Sequence, residues 1–433
     1  MSIHMRAVLR GLLAVGACSL AVAPVASADV VKPRSAAAFR DSVGVVTHVV
    51  YYDTAYGNWP RVVARLDDLG VRHLRDGLYG NPSPAWHDWN ERYFKAVDLA
   101  AAHGMRFDFI VGKPGYDGGT LDQLLNVAGG RLRKSAEALE EPNEFDHFNG
   151  GPGWASQLTR YSRELYRKVK RNPALRTLPV VGPAFGTLQG ASRVGDQRSY
   201  LDVGNIHPYT GGRSPDAKLV RTEIARGSAV SGRKPVWATE AGFHNAMRGP
   251  AQEQPGVSEQ AAAVYLTRTF LQHFQSGVAR TYAYELLDEK PDRRGRDPQQ
   301  HFGLLRHDFS PKPAYRALRN LLGLMGRTGA RSQPRPLRLD VHGPSDLHRL
   351  VLQKADGTYL VALWRTASVW DRDRGRTLRV APRAVSVALP GAKRVSSSDP
   401  VRSAHLRRLA LRRGHVRLRV AGRPLLLEVT PRR

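Results

Sequence analysis

The chain has 433 residues, 42% hydrophobic and 24% charged, enough to bury a sizeable core and too apolar for a disordered polymer. A single cysteine excludes an internal disulfide framework and a cysteine-rich zinc site. Basic residues number 66 against 38 acidic ones, a formal charge of +28, and 54 of the 66 are Arg; with abundant Ala, Gly and Pro this fits GC-rich coding, while a field of that size also attracts polyanions.

At the amino end, Arg6 and Arg10 precede an apolar stretch from Leu12 to Val25 that ends in Ala26, Ser27 and Ala28. That is the pattern of a cleaved secretory leader, so residues 1–28 are expected to be a signal peptide and the mature protein to be secreted. Cys18, after Val15, Gly16 and Ala17, loosely imitates a lipoprotein attachment site and a surface anchor is the alternative, although the apolar run continues past it. No other stretch approaches about 18 consecutive apolar residues, so no transmembrane segment is expected.

From residue 43 to about 327, short apolar, β-branched runs alternate with longer amphipathic segments, the rhythm of βα units. Strand candidates begin at Val43, Val71, Arg106, Ala136, Leu178, Val203, Pro235 and Arg280; eight such units predict a (β/α)₈ barrel over residues 29–330. Asp88 with Glu91 three residues on resembles a capping box, with Gly104 as the stop, and Ser258 to Gly277 repeats the scheme. Ala263, Leu266, Phe270 and Phe274 recur at helical spacing and read as a core-facing stripe.

Past residue 330 the pattern changes to short alternating strands, among them Tyr359 to Trp364, Val385 to Leu389, Val416 to Val420 and Leu425 to Val429. A smaller all-β, sandwich-like domain is expected over 331–433. This stretch holds 23 basic and 7 acidic residues, a net +16, densest at Arg407, Arg408, Arg412, Arg413, Arg417 and Arg419. A solvated strand face is the plain reading. A polyanion contact is the sharper one and, with no nucleic-acid module signature, an acidic polysaccharide ranks above DNA or RNA, neither of which is expected.

Catalytic groups of such barrels sit at the carboxyl ends of strands. Strand four runs into Glu140, Glu141, Pro142, Asn143 and Glu144, and strand seven into Glu240, Ala241 and Gly242. Two carboxyl groups facing each other across a barrel mouth are what glycosidic bond cleavage needs, one to protonate the leaving oxygen and one to attack or to activate water. No cofactor or metal is expected: there is no His-Glu-x-x-His and no Walker loop, and Gly150 to Gly153 reads as the loop after strand four. Asp288, Glu289, Asp292 and Asp297, interspersed with Lys290, Arg293, Arg294 and Arg296, read as a surface loop above the site.

With Asn143 and Glu144 after strand four and Glu240 after strand seven, residues 40–325 resemble the glycoside hydrolases of clan A. The resemblance implies a retaining mechanism in which Glu144 is the general acid/base, Asn143 binds the sugar hydroxyl next to the reacting carbon, and Glu240 is the nucleophile. Such enzymes often use Arg at the end of strand two to hold the nucleophile ionised, a role implied for Arg75, with pairing to Asp76 or another acid as the alternative. His207 and Tyr209 end strand six, where clan members contact the nucleophile and the sugar; for His207 the alternative is a core hydrogen-bonder. His48 after strand one is a further substrate-binding candidate. Tyr284 stands at the end of strand eight, where many relatives carry a Trp beneath the sugar, and it could substitute. The negative charge of Glu240 is expected to keep Glu144 protonated, and Glu141, which replaces a small residue, would raise the pKa of Glu144 further if it points inward. Thr47 to Trp59 and Leu69 to Gly77 look loosely like the xylosidase and iduronidase family of the clan. The expected function is thus a secreted retaining glycosidase acting on a polysaccharide or glycan. The alternative is a non-catalytic glycan-binding or cell-envelope protein, distinguished by a separation of the two glutamates well beyond about 5.5 Å.

Overall fold

The computed structural model describes residues 28–113, 119–249, 254–326 and 333–432. The expected leader apart from Ala28, Cys18, and the boundary at residue 330 lie outside the described residues. Apolar runs that the sequence leaves without polar alternation must be covered on both faces, and parallel strands meet that need: Val43–Val46 and Val236–Ala241 are buried at every position. These are β1 and β7 of a ring completed by β2 His73–Leu78, β3 Arg106–Val111, β4 Ala136–Glu140, β5 Val180–Val181, β6 Gly204–Ile206 and β8 Arg280–Ala283. Neighbours pair in parallel in sequence order, β8 returns to β1, and a Val181–Val203 bridge joins β5 to β6. The result is a TIM barrel, each strand starting within two residues of its expected position. Val46, Ala138, Val181, Val203, Trp237 and Tyr282 fill its interior.

The helices obey their punctuation with one exception. Ser258 caps Glu259–Gln275 by accepting from the Ala261 N–H, and Gly277 follows at φ 92°. The capping box expected at Asp88 and Glu91 does not form. A 3₁₀ turn over Pro84–Trp86 runs directly into the helix His87–Ala102, so Trp86 occupies the cap position and Asp88 falls inside the first turn. There its charge faces the exposed N–H groups of the helix end instead.

Beyond the barrel the chain forms a separate all-β region of mainly antiparallel sheets. Six strands align in the order Arg407–Arg408, Ala392–Ser398, Leu425–Pro431, Tyr359–Arg365, Leu347–Gln353 and Arg34–Ser35, and three more in the order Asp340–His342, Arg383–Ala388 and His415–Val420. Two short segments ahead of β1 thus belong to the all-β region: Arg34–Ser35 as an edge strand of the six, and Val30–Val31 in a two-stranded sheet of its own with Leu337–Arg338. Strand alternation explains the layering. Tyr359, Val361, Leu363, Val395, Leu427 and Val429 face Val385, Val387, Val416 and Val420 of the smaller sheet in one core. Leu350, Leu352, Leu360, Ala362, Trp364 and Leu426 point the other way and share a core with barrel residues such as Phe270 and Phe274.

Glu259–Gln275 is therefore buried almost all round, where the sequence shows only a one-sided stripe. Two polar residues fasten this junction. Arg268 donates to Ala367 O at 2.9 Å, to Gly422 O and to Ser214 Oγ, and Tyr265 OH lies 2.8 Å from Ser368 Oγ and accepts from Val369 N at 3.1 Å. Among the described residues no helix is long and apolar enough to cross a membrane. We expect Arg268→Ala to destabilise the protein by about 2–4 kcal/mol, because two buried carbonyls lose their donor. An unchanged urea midpoint would show that the junction does not need it.

Candidate active site

The carboxyl ends of the strands carry a connected set of polar side chains in a mostly apolar setting. Arg75, near the middle of β2, is 1% exposed and spends its donors on three partners. Nε and Nη2 grip the Glu140 carboxylate at 2.9 and 2.6 Å. Nη2 also donates to Asn143 Oδ1 at 2.7 Å, and Nη1 to Glu240 Oε1 at 2.6 Å. A guanidinium has no lone pair and a fixed fork of donors, so this pattern sets the directions of all three partners. Asp76, the other acid considered for Arg75, instead accepts from Thr47 Oγ1 at 2.7 Å and from Val49 N at 2.9 Å.

Glu240 ends β7 with Oε2 accepting from Tyr209 OH at 2.7 Å. Glu144 stands just past β4 in the left-handed region, φ 38° and ψ 49°, a conformation costing about 1 kcal/mol for a residue with a Cβ. Neighbouring anchors hold it there. Phe145 is buried, and Asp146 accepts from Gly186 N at 3.0 Å and Thr187 N at 2.9 Å, tying the loop after β4 to the loop after β5. Gly186 has to be a glycine at this crossing, since a Cβ would come within 2.9 Å of Glu144 Oε2 and 2.8 Å of His147 Cβ.

His207 bridges the two carboxylates. Its side chain is 1% exposed, with Nδ1 2.7 Å from Glu144 Oε1 and 3.7 Å from Glu240 Oε2. One atom from each of Glu144, His207 and Glu240 lies within 4.8 Å of the other two. On the far side of the ring, Nε2 is 3.0 Å from Thr239 Oγ1. That hydroxyl already donates toward Asn205 Oδ1 at 2.8 Å or Glu140 Oε1 at 3.2 Å, so it must accept from Nε2–H. A neutral His207 therefore presents Nδ1 to Glu144 as an acceptor, and a protonated one presents it as a donor.

Electrostatics favour the second state. Burial pushes Glu144 up, but the hydrogen bond and charge of His207 outweigh it and hold the carboxyl below its ordinary range. Burial would lower His207, yet the Glu240 charge and then the Glu144 bond carry it above its ordinary value. Both shifts favour carboxylate and imidazolium over the neutral pair, against the expectation that the nearby Glu240 charge keeps Glu144 protonated. Glu141 does not contribute either. It turns away from the site to Ser162 on the helix Trp154–Arg171, where burial raises its carboxyl to about 8.

A second wall is aromatic and acidic. Tyr284 lies edge-on to His48, Tyr209 and Phe302, with ring centroids 6.1, 6.5 and 5.2 Å away. His48 stacks on Tyr51 at 4.5 Å and sits 3.3 Å from Glu285 Oε2. Burial would lower its imidazole, but Glu285 overrides this and raises it to about 8. Glu289 completes a group whose ligand-type atoms also lie within 4.8 Å of one another, and burial followed by the Glu285 charge brings its carboxyl to about 7. The segment read as a surface loop thus dips inward: Asp288 is buried and paired with Lys312 at 2.7 Å.

All eight residues singled out in the sequence come to this end of the barrel. Arg75, Asn143, Glu144, His207, Tyr209 and Glu240 form one hydrogen-bonded group, while His48 and Tyr284 stand on the adjoining wall. The sequence reading missed Glu140, Asn205, Thr239 and Glu285 as parts of the same end. Glu140 closes β4, a position that could have flagged it; Thr239 and Asn205 lie inside β7 and β6 and carry no such signal.

No family model matches the sequence, and no curated protein matches it. Solved structures do. A family 39 glycoside hydrolase from Bacteroides cellulosilyticus WH2 aligns with TM-score 0.61 and 16% identity over 92% of this chain and 83% of that one. A GH39 enzyme from Xanthomonas axonopodis pv. citri gives 0.58 and 15% over 93% and 96%, and a monomeric β-xylosidase from Caulobacter crescentus CB15 gives 0.58 and 14% over 94% and 98%. The likeness is one of fold, barrel and all-β region together.

Glu141 supplies a test of the strand-four environment. Between its ordinary pKa and about 8 the folded state keeps a proton that the unfolded state has lost, so stability should fall as pH rises through that window. Glu141→Gln should remove this slope and stabilise the protein by about 3 kcal/mol at pH 7, with the gain vanishing near pH 4.5. A gain that is constant with pH, measured by thermal unfolding, would sink the assignment.

Proposed function

We propose that the protein is a secreted retaining glycosidase that cleaves O-glycosidic bonds of a polysaccharide or glycan, on the pattern of clan A. The observation that carries the reading is the pair of glutamates with oxygens inside 4.8 Å of each other, one clamped by a buried guanidinium and a phenol, the other on a histidine. Carboxyl groups about 5–5.5 Å apart leave no room for an intervening water and act by double displacement. The fold shared with glycoside hydrolases supports the same reading.

In the proposed cycle, Glu240 attacks the anomeric carbon while Glu144 gives its proton to the departing oxygen, leaving a glycosyl-enzyme. Glu144, now ionised, takes a proton from water, whose oxygen displaces Glu240 and regenerates both groups. Arg75 and Tyr209 donate to Glu240 and keep its lone pairs directed. Asn143, its Oδ1 held by Arg75, keeps its amide N–H donors for the hydroxyl beside the reacting carbon. His207 acts through Glu144 as a positioning residue: its neutral form, with the proton on Nε2, accepts at Nδ1 from protonated Glu144, so the pair stores the proton that catalysis needs.

Glu240→Ala should abolish hydrolysis and regain activity with azide, giving a product of inverted configuration, because the anion fills the space of the lost carboxylate. Glu144→Ala should spare substrates whose leaving group needs no proton. Nuclear magnetic resonance of the first-formed product decides the mechanism; an anomer opposite to that of the substrate excludes retention. The wild-type basic limb of kcat/KM should follow the raised His207 and move to lower pH in His207→Asn, where a carboxyl alone must hold the proton. An unmoved limb would show that His207 does not share it.

A further inference from the structure

The outermost layer of the molecule is the three-stranded sheet. Its inward residues, including Val341, Val385, Val387, Val416 and Val420, pack in the core between the sheets, so alternation turns the intervening residues to solvent. The register places Arg419 opposite Ala384, Arg417 opposite Ser386 and His415 opposite Ala388, with His342 across from Ser386 on the other side. Small side chains thus floor a shallow track along the middle strand, bordered by Arg417, Arg419 and His415 on one flank and by His342 on the other. The turn before the last of these strands adds Arg412 and Arg413, both exposed.

This charge is not cancelled from within. Arg412, Arg413, Arg417 and Arg419 form no ion pair among the described residues; Arg419 lends one N–H to Pro382 O at 2.9 Å. The acids of the region are engaged elsewhere: Asp346 by Arg365, Asp371 by Arg374, Asp373 by Arg372, Asp399 by Arg423 and Glu428 by Lys354, while Asp356 accepts from Thr358. The one acid on the outer face, Asp340, pairs with His342 at 2.7 Å. Guanidinium groups left free in this way bind carboxylates and sulfates with two parallel hydrogen bonds.

We propose that this outer face is a binding surface for an anionic polysaccharide, carboxylated or sulfated, which holds the protein on its polymer while the barrel works. Of the polyanions, nucleic acid is disfavoured because, among the described residues, the face carries no Phe, Tyr or Trp ring on which successive bases could stack. An anionic membrane is disfavoured because it carries no large apolar residue to insert. The choice of a polysaccharide rests on the glycosidase reading; the positive track does not.

The test compares two variants with the same loss of charge. Arg412, Arg413, Arg417 and Arg419 are all changed to Ser in one, and the exposed barrel residues Arg167, Arg171, Arg193 and Arg233 in the other. Binding of the full chain to heparin and to polygalacturonate is measured across a salt series, beside duplex DNA and phosphatidylglycerol vesicles. The first variant should bind both polysaccharides about tenfold more weakly than wild type, the second nearly as wild type, and wild-type binding should weaken steeply with salt. Equal losses in both variants would show that net charge alone acts, and wild-type binding confined to DNA or to vesicles would assign the face to another partner; either overturns the proposal. Arg412→Ser with Arg413→Ser gives the same comparison if the fourfold variant does not fold. Hydrolysis of a small aryl glycoside, followed in parallel, should be unchanged by the face variant, so a failure of binding and a failure of the catalytic reading register separately.

Discussion

A guanidinium sealed inside a barrel has to be matched by acceptors, and the structure of the site follows from how Arg75 is matched. Its side chain joins β2 to β4 through Glu140, to the loop after β4 through Asn143, and to β7 through Glu240. Two carboxylates compensate one cation, and the groups beyond them adjust: Thr239 and Asn205 hold the free face of Glu140, and Asp108 beside it is pushed well up by burial and then by the Glu140 charge. Removing the cation would leave two buried anions facing each other, an outcome far costlier than the loss of any one hydrogen bond. The site is therefore rigid for an electrostatic reason before any substrate arrives.

Two kinds of charge divide the molecule. Inside the barrel mouth nearly every ionised group has a counterpart at hydrogen-bond distance, and pKa values move because burial makes each pairing matter. On the outer sheet the arginines are solvated and, among the described residues, without an acidic partner. A single net charge for the chain averages over these regimes and describes neither.

Much of this was legible in the sequence, because the signals concerned periodicity. Eight apolar runs with helical punctuation between them prescribe a barrel, and strand ends prescribe where its chemistry sits, so Glu144 and Glu240 could be named without coordinates. What remained hidden depends on the direction of side chains and on partners distant in the chain. Nothing local says that Glu140 faces Arg75 whereas Glu141, its neighbour, faces Ser162; strand alternation separates them, but only the closed barrel decides which face is inside. The protonation of Glu144 was misread for the same reason, since the hydrogen bond and charge of His207, 63 residues away, outweigh the burial that would raise it. Asp88 looked like a cap residue because the start mark that precedes it, Ser83 with Pro84, opens a turn that carries the chain straight into the helix.

Arg34–Ser35 is an edge strand that pairs with Leu352 and Gln353. An early strand thus waits for a partner that is made only after the whole barrel. Sequence-distant pairing of this kind slows folding and leaves an open strand edge exposed meanwhile. It also fastens the start of the described chain to the six-stranded sheet that packs against the barrel. Unravelling the protein from its amino end would peel the six-stranded sheet at its edge before disturbing a single barrel strand, so that end behaves as a latch on the all-β region.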